Sequence, residues 1–124
     1  MYLEAIVDDA RPIFIQIAEQ LASQIIDGSM AEEAQVPSIN ELAAFHRINP
    51  ATALKGVTVL VDSGILYKRR GVGMFVSPGA RDRLLADRRD AFRDDFVRPL
   101  VAQAKALGIT EAQLTQMIGK EAGL

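Results

Sequence analysis

Two signals for the start of a helix lie close together in the middle of the sequence, and they restrict the fold more than any other feature. Ser38-Ile39-Asn40-Glu41 is a capping box, in which the serine hydroxyl accepts the third helical N–H and the glutamate bonds back to the cap. Asn49-Pro50 is a second start, because asparagine caps a first turn and proline needs no N–H at the first helical position. The first helix must therefore end near His46, and the second runs until Gly64. Two helices joined by so short a turn form a helix-turn-helix.

A longer amphipathic helix precedes this pair, and a β-hairpin follows it. Residues 12–27 place apolar side chains on one helical face, namely Phe14, Ile17, Ala18, Leu21 and Ile25. The runs Ile65-Leu66-Tyr67-Lys68 and Met74-Phe75-Val76 are β-prone, and the link between them contains two glycines, as hairpin loops do. Residues 29–37 read as a loop with a short extended piece, residues 34–36, before Pro37. Helix, short helix, turn, helix and hairpin is the element order of a winged helix-turn-helix.

The two central helices have identifiable inner faces. Leu42, Ala43 and Phe45 are the candidates in the first helix. In the second helix the inner face is predicted to be Ala53, Gly56, Val57 and Leu60. A glycine in a helix interior is unfavourable by roughly 1 kcal/mol relative to alanine. Gly56 therefore predicts a close approach of another helix.

The C-terminal third of the chain reads as a helical tail. From residue 80 to 107 the pattern is helical, with Pro99 expected to kink or divide the helix. Thr110-Glu111-Ala112-Gln113 is another capping box and starts a last helix. This tail is too apolar for a lone surface helix, which predicts a homodimer seam formed by Leu85, Phe92, Phe96, Leu100, Leu114, Met117 and Ile118. The predicted fold is mostly α with a small β-hairpin: a winged helix-turn-helix head, residues 1–78, followed by a two-helix dimerisation tail, residues 79–124.

Charge is distributed unevenly along the chain. The formal net charge is −2, which by itself weighs against binding to nucleic acid. However, residues 36–83 carry seven basic and three acidic side chains, whereas residues 1–35 carry one basic and seven acidic. The basic cluster Lys68, Arg69, Arg70 falls on the hairpin, where phosphate contact is expected. The average therefore conceals a basic head, which is what a polyanion would meet.

Several functional classes are excluded or disfavoured by composition. The sequence has no cysteine and one histidine, which excludes disulfides and thiol nucleophiles and disfavours histidine-based triads and metal sites. It has no glycine-rich phosphate loop and no nucleophile–base pair, so we expect no catalytic residues, no metal and no cofactor. No apolar run approaches the roughly 18 residues of a membrane span. The first residues lack the basic start of a signal peptide, so we expect no membrane association and a cytoplasmic location.

Several short motifs follow one another along residues 12–76. They are Pro12-Ile13-Phe14-Ile15-Gln16-Ile17, then Val36-Pro37-Ser38 followed by Glu41-Leu42-Ala43, then Ile48-Asn49-Pro50-Ala51-Thr52, and finally Ser63-Gly64-Ile65-Leu66-Tyr67 with Arg69-Arg70-Gly71-Val72-Gly73-Met74-Phe75-Val76. In this order and spacing they resemble the GntR family of transcription regulators, and the tail is similar to its short YtrA-type branch. The resemblance implies a DNA-binding repressor without a large ligand-binding domain, which dimerises through its helical tail.

The family resemblance also indicates which residues contact double-stranded DNA. The second helix of the helix-turn-helix would enter the major groove from its N-terminal end, and the hairpin would reach the backbone or minor groove. The predicted contact residues are Ser38, Asn40, Asn49, Ala51, Thr52, Lys55, Lys68, Arg69, Arg70, Gly71 and Gly73. The chain departs from the family pattern at Asn40, Leu54 and Val72, where arginine, a basic or polar residue, and lysine are common. A homodimer would read a palindromic operator.

A second interpretation belongs to a different functional class. The same fold could serve as a winged-helix protein-interaction module that does not bind DNA and uses an exposed surface of Leu54, Val59 and Val61. The apolar residues and the missing family arginines favour it. The sequence also leaves a small-molecule effector open and identifies none.

Overall fold

The computed structural model describes residues 11–123 and divides the chain into two compact units, one ending at Leu85 and one beginning at Ala86. The elements are α1 (Ile13–Asp27), α2 (Ile39–His46), α3 (Pro50–Asp62), β1 (Leu66–Arg69), β2 (Gly73–Val76), α4 (Ala80–Phe92), a π-helical turn (Arg93–Val97), α5 (Arg98–Ala106) and α6 (Glu111–Glu121). The first unit is a winged helix-turn-helix, which confirms the predicted fold class.

Local sequence signals set the ends of the three head helices. At α2, the Glu41 N–H donates to Ser38 Oγ at 3.1 Å, and the Ser38 N–H donates to Glu41 Oε1 at 2.8 Å, so the predicted capping box is present. At α3, Asn49 Oδ1 accepts the Ala51 N–H at 2.8 Å. Between them Arg47 adopts a left-handed conformation with φ of 56°, which turns the chain sharply enough to start α3.

Helices α1 and α3 pack against each other at the predicted glycine. A Cβ atom added to Gly56 would lie 2.8 Å from the Phe14 carbonyl oxygen and 3.1 Å from Ile17 Cβ. No side chain fits in that space without movement of the neighbouring backbone. The close approach predicted from Gly56 is therefore confirmed, and it brings α3 against the N-terminal half of α1.

The hairpin is held by a third piece of extended chain. Strands β1 and β2 pair antiparallel with Leu66 opposite Val76 and Arg69 opposite Gly73. Gln35 forms a bridge to Phe75, which confirms the short extended piece predicted before Pro37. Leu66 and Val76 are buried in the head core, so the base of the hairpin is fixed while its loop extends from the body.

The prediction that Phe45 faces the core is wrong. Leu42 and Ala43 are buried, but Phe45 is 77% exposed. At about 100° per residue, Phe45 lies roughly 110° from the middle of the Leu42–Ala43 face. An eight-residue helix with so narrow a buried stripe leaves that ring on its outer side.

The beginning of α4 is attached to the head through backbone carbonyls. Arg81 Nε donates to the Ile26 carbonyl oxygen at 2.8 Å, and an Arg83 guanidinium nitrogen donates to the Ser63 carbonyl oxygen. These carbonyls lie at the C-terminal ends of α1 and α3, where helices leave carbonyl groups without partners and favour positive charge. Leu84 completes this attachment by packing into the head core.

In the second unit the helical path is interrupted as Pro99 predicts, but the interruption comes earlier and has a defined form. The Arg98 N–H donates to the carbonyl oxygen of Arg93, five residues back, and residues 93–97 form a π-helical turn. Because proline has no N–H, the Asp95 carbonyl cannot form the usual bond to residue 99. Proline therefore lies at the start of α5 rather than inside a continuous α-helix.

The residues predicted for a dimer seam lie mainly in this second unit. Leu85 is half-buried at the end of the first unit, and Leu114 is half-buried in α6. The other predicted residues are large, apolar and exposed, from 42% to 59%: Phe92, Phe96, Leu100, Met117 and Ile118.

Within residues 11–123 no helix is both long and apolar enough to cross a membrane.

Candidate nucleic-acid interface

The start of α3 is presented by the turn that precedes it and by the packing behind it. Ala53, Gly56, Val57 and Leu60 face the core, as predicted. The helix therefore leaves Asn49, Ala51 and Lys55 exposed and Thr52 half-buried. The side-chain oxygen of Asn49 caps the helix, so the side-chain N–H₂ group is the part that can donate to an external acceptor.

Lys55 is held by an aromatic ring from α1. Its Nζ lies 4.3 Å from the centroid of the Phe14 ring, a cation–π distance. Phe14 itself is only half-buried, so it is less a core residue than the sequence pattern suggested. The ring limits the conformations of the lysine and keeps its ammonium group at the surface of α3.

The hairpin presents its basic cluster in two different ways. The Arg69 guanidinium lies 5.0 Å from the centroid of the Phe75 ring, which restrains it against the sheet. Lys68 and Arg70 are exposed, and neither forms an ion pair within residues 11–123. The loop between the strands depends on Gly71 and Gly73, whose φ angles are 75° and 140°. Its glycines therefore have a conformational role whatever else they contact.

Two contacts connect the hairpin to the loop before α2. Gln35 Nε2 donates to the Val72 carbonyl oxygen at 2.9 Å, and the Tyr67 hydroxyl donates to Glu33 Oε1 at 3.0 Å. Burial, together with the hydrogen bond to Glu33, raises the pKa of Tyr67 above its ordinary value. The phenol therefore remains a donor to Glu33, which connects the hairpin, the wing of this fold, to the loop before α2.

The N-terminal end of α2 is exposed beside this hairpin. Ser38 and Asn40 are both exposed. The Ser38 N–H and hydroxyl interact with Glu41, and these hydrogen bonds lower the pKa of the Glu41 carboxyl group. Among the described residues Asn40 forms no hydrogen bond through its side chain, which is exposed. That surface therefore offers neutral polar groups where the family pattern has an arginine.

The structure brings part of the predicted site together around one cleft. Ser38 from the α2 start and Lys68 and Gly73 from the hairpin line a cavity of about 330 Å³ between α3 and the wing. Its apolar lining includes Leu54 and Val72, two of the positions that depart from the family pattern. Both are exposed, Leu54 by 47% and Val72 by 54%. The sequence placed neither of them in a common cleft, because residues from α2, α3 and the hairpin meet only after folding.

The apolar surface invoked for a protein-interaction module is not continuous. Leu54 and Val59 are exposed, but Val61 is half-buried and packs against the core. The prediction that Val61 belongs to that surface is therefore wrong.

Among residues 11–123 there is no cluster of histidine and carboxylate side chains that could hold a metal ion.

Comparisons with known proteins agree with this geometry. No family model matches the sequence. The transcriptional repressor YtrA of Bacillus subtilis is 28% identical over 107 residues, which is 86% of this chain and 82% of that protein. The structure of a GntR-family regulator from Bacteroides thetaiotaomicron matches with a TM-score of 0.77 and 28% identity, covering 90% of this chain and 97% of that one. The DBD of AraR, solved in complex with operator ORR3, matches with a TM-score of 0.52 and 32% identity over 53% of this chain and 80% of its own. The chain belongs to the GntR family of helix-turn-helix transcriptional regulators, as its motifs predicted.

Proposed function

We propose that this regulator is a repressor that binds a palindromic DNA operator as a homodimer. The observation that carries the proposal is the presence of two cationic elements side by side on one compact unit. The exposed start of α3 carries Lys55, and the adjoining hairpin carries Lys68, Arg69 and Arg70. The name of the YtrA relative supports the role of repressor, and the AraR complex supports an operator as the ligand.

Each element has a distinct task in this proposal. The N-terminal half of α3 enters the major groove, where the Asn49 amide, Ala51 and Thr52 face base edges. Lys55 and the hairpin cations contact phosphate, and the backbone of Gly71 and Gly73 lets the loop approach the strand closely. Ser38 and Asn40 contact phosphate or an adenine from the start of α2.

Dimerisation is supported by the exposed apolar surface of the second unit. Five large apolar side chains of this unit are each between 42% and 59% exposed: Phe92, Phe96, Leu100, Met117 and Ile118. Leu100, Leu114, Met117 and Ile118 also line one open apolar groove. So many large apolar side chains on a unit of this size are typical of a subunit interface. A two-fold axis through such an interface would give the operator its palindrome.

The central experiment is selection of bound fragments from random DNA with the full chain, followed by affinity measurements over a series of salt concentrations. Lys55→Ala and Arg70→Ala should each weaken binding and make the slope of log affinity against log salt shallower by about one. Lys120→Ala, an exposed lysine in the last turn of α6, is the matched control and should change neither quantity. Unchanged affinity and slope in both head variants would contradict the proposed site.

The protein-interaction module remains the alternative, favoured by the exposed Leu54 and Val59 on α3. The same selection distinguishes the two functions. Enrichment of one palindrome with a steep salt dependence supports the repressor. Failure to enrich any sequence at low salt, with a folded chain, supports the module instead.

A further inference from the structure

The cleft between α3 and the hairpin has an apolar mouth in an otherwise polar and basic surface. Leu54 on α3 and Val72 on the hairpin form its two exposed walls, while Val57, which is buried, and Met74, which is half-buried, form its floor. Exposure of large aliphatic side chains to water is unfavourable. Their position here is therefore better explained by a partner than by the stability of the free head.

The cleft is continuous with the proposed DNA-binding surface. Among the described residues that line it, Lys68 is the only charged one, and Ser38 and Gly73 are also part of the lining. Lys55 directly follows Leu54 on α3. A duplex that contacted Lys55 and Lys68 would therefore pass over the mouth of the cleft. The positive charge of Lys68 at this cleft is complementary to the negative charge of the phosphates.

The chemistry of the cleft selects one group on that duplex. Aliphatic side chains neither donate nor accept hydrogen bonds, so they cannot read the polar base edges. In the major groove the apolar group that a base pair presents is the 5-methyl of thymine. We propose that Leu54 contacts the methyl group of one thymine in each operator half-site and thereby specifies that base. This inference rests on the proposed DNA-binding function.

The test removes only the methyl group. Once an operator has been selected, each thymine in turn is replaced by deoxyuridine at symmetry-related positions of both half-sites, and affinity is measured by fluorescence anisotropy at one salt concentration. Burial of one methyl predicts, at one thymine position, a loss of about fourfold per half-site and about fifteenfold for both. In Leu54→Ala the same replacement should have no effect. Val59→Ala, which shortens another exposed aliphatic side chain on α3 outside the cleft, should retain the full loss.

The outcomes separate this inference from the function on which it rests. If no deoxyuridine position weakens the wild type, or if the loss persists in Leu54→Ala, the assignment of Leu54 is wrong while the repressor proposal stands. If no DNA is selected at all, both fail. A thermal unfolding curve of Leu54→Ala like that of the wild type shows that a lost response to the methyl is not a loss of folding.

Discussion

Replacing Gly56 with alanine tests the helix packing on which the presentation of α3 depends. Alanine is favoured over glycine in a helix interior by about 1 kcal/mol, so helix propensity alone predicts a more stable protein. Packing predicts the opposite. The new methyl group would lie 2.8 Å from the Phe14 carbonyl oxygen, where ordinary van der Waals contact begins near 3.4 Å.

The two terms can be compared from this geometry. The neighbouring atom is backbone, so it cannot rotate away, and the Ile17 side chain at 3.1 and 3.2 Å blocks movement toward the other side. Helices α1 and α3 must separate by about half an ångström, and because the neighbouring atom is backbone, the overpacking cost should fall in the upper part of the usual range, at about 2–3 kcal/mol. After subtraction of the helix-propensity gain, we expect a net loss of about 1–2 kcal/mol, which corresponds to a decrease in Tm of about 5–15 °C for a domain of this size.

The assay is thermal and urea unfolding followed by circular dichroism, with Gly119→Ala as the matched control. Gly119 lies inside α6, and a Cβ there would meet nothing within 4 Å. The control should therefore keep or raise the stability, by up to about 1 kcal/mol. If Gly56→Ala were as stable as the wild type or more so, helices α1 and α3 could not be as close as the structure places them.

Three further predictions concern the cap, the second unit and the wing. Hydrogen bonds from Ser38 lower the pKa of Glu41 below its ordinary value of 4.5, so the stability that they add is present above pH 4.5 and is lost as pH falls through the lower folded pKa. Glu41→Gln keeps the capping geometry and should therefore lose less stability than the wild type when urea unfolding is measured at decreasing pH. Phe96→Glu should yield a monomer in sedimentation at micromolar concentration, whereas Gln103→Glu should remain a dimer, and a monomeric wild type would contradict the proposed seam. Gln35→Ala removes the hydrogen bond to the wing loop and should weaken operator binding by about two- to tenfold with little change in Tm; equal affinity in anisotropy titrations would show that the loop needs no such support.

The head could be predicted from the sequence because its decisive signals are local. The Ser38 capping box, the Asn49-Pro50 start and the glycines of the hairpin act within a few residues of themselves, and each lies where the pattern placed it. Gly56 gave one non-local contact, because its unfavourable position in a helix requires a reason in the packing.

Contacts between distant segments were not predictable in the same way. The Phe45 ring is exposed although Leu42 and Ala43 in the same helix are buried, since the buried stripe of α2 is only two residues wide. Pro99 predicts an interruption of the helix, but it does not predict the π-helical turn at residues 93–97. That turn depends on how the backbone redistributes its hydrogen bonds before the proline. The attachment of Arg81 and Arg83 to helix ends depends on carbonyls that no pattern near those arginines reveals.

The aromatic partners of the basic side chains explain how a chain with a net charge of −2 could bind DNA selectively. Such a chain has little long-range attraction to a polyanion, so its non-specific binding should be weak. Lys55 on the Phe14 ring and Arg69 on the Phe75 ring are already restrained in the free head. A long cationic side chain that is ordered before binding loses less conformational entropy when it meets phosphate. Preorganisation of a few cations, rather than a large excess of charge, would then supply the affinity and leave discrimination to the base contacts of α3.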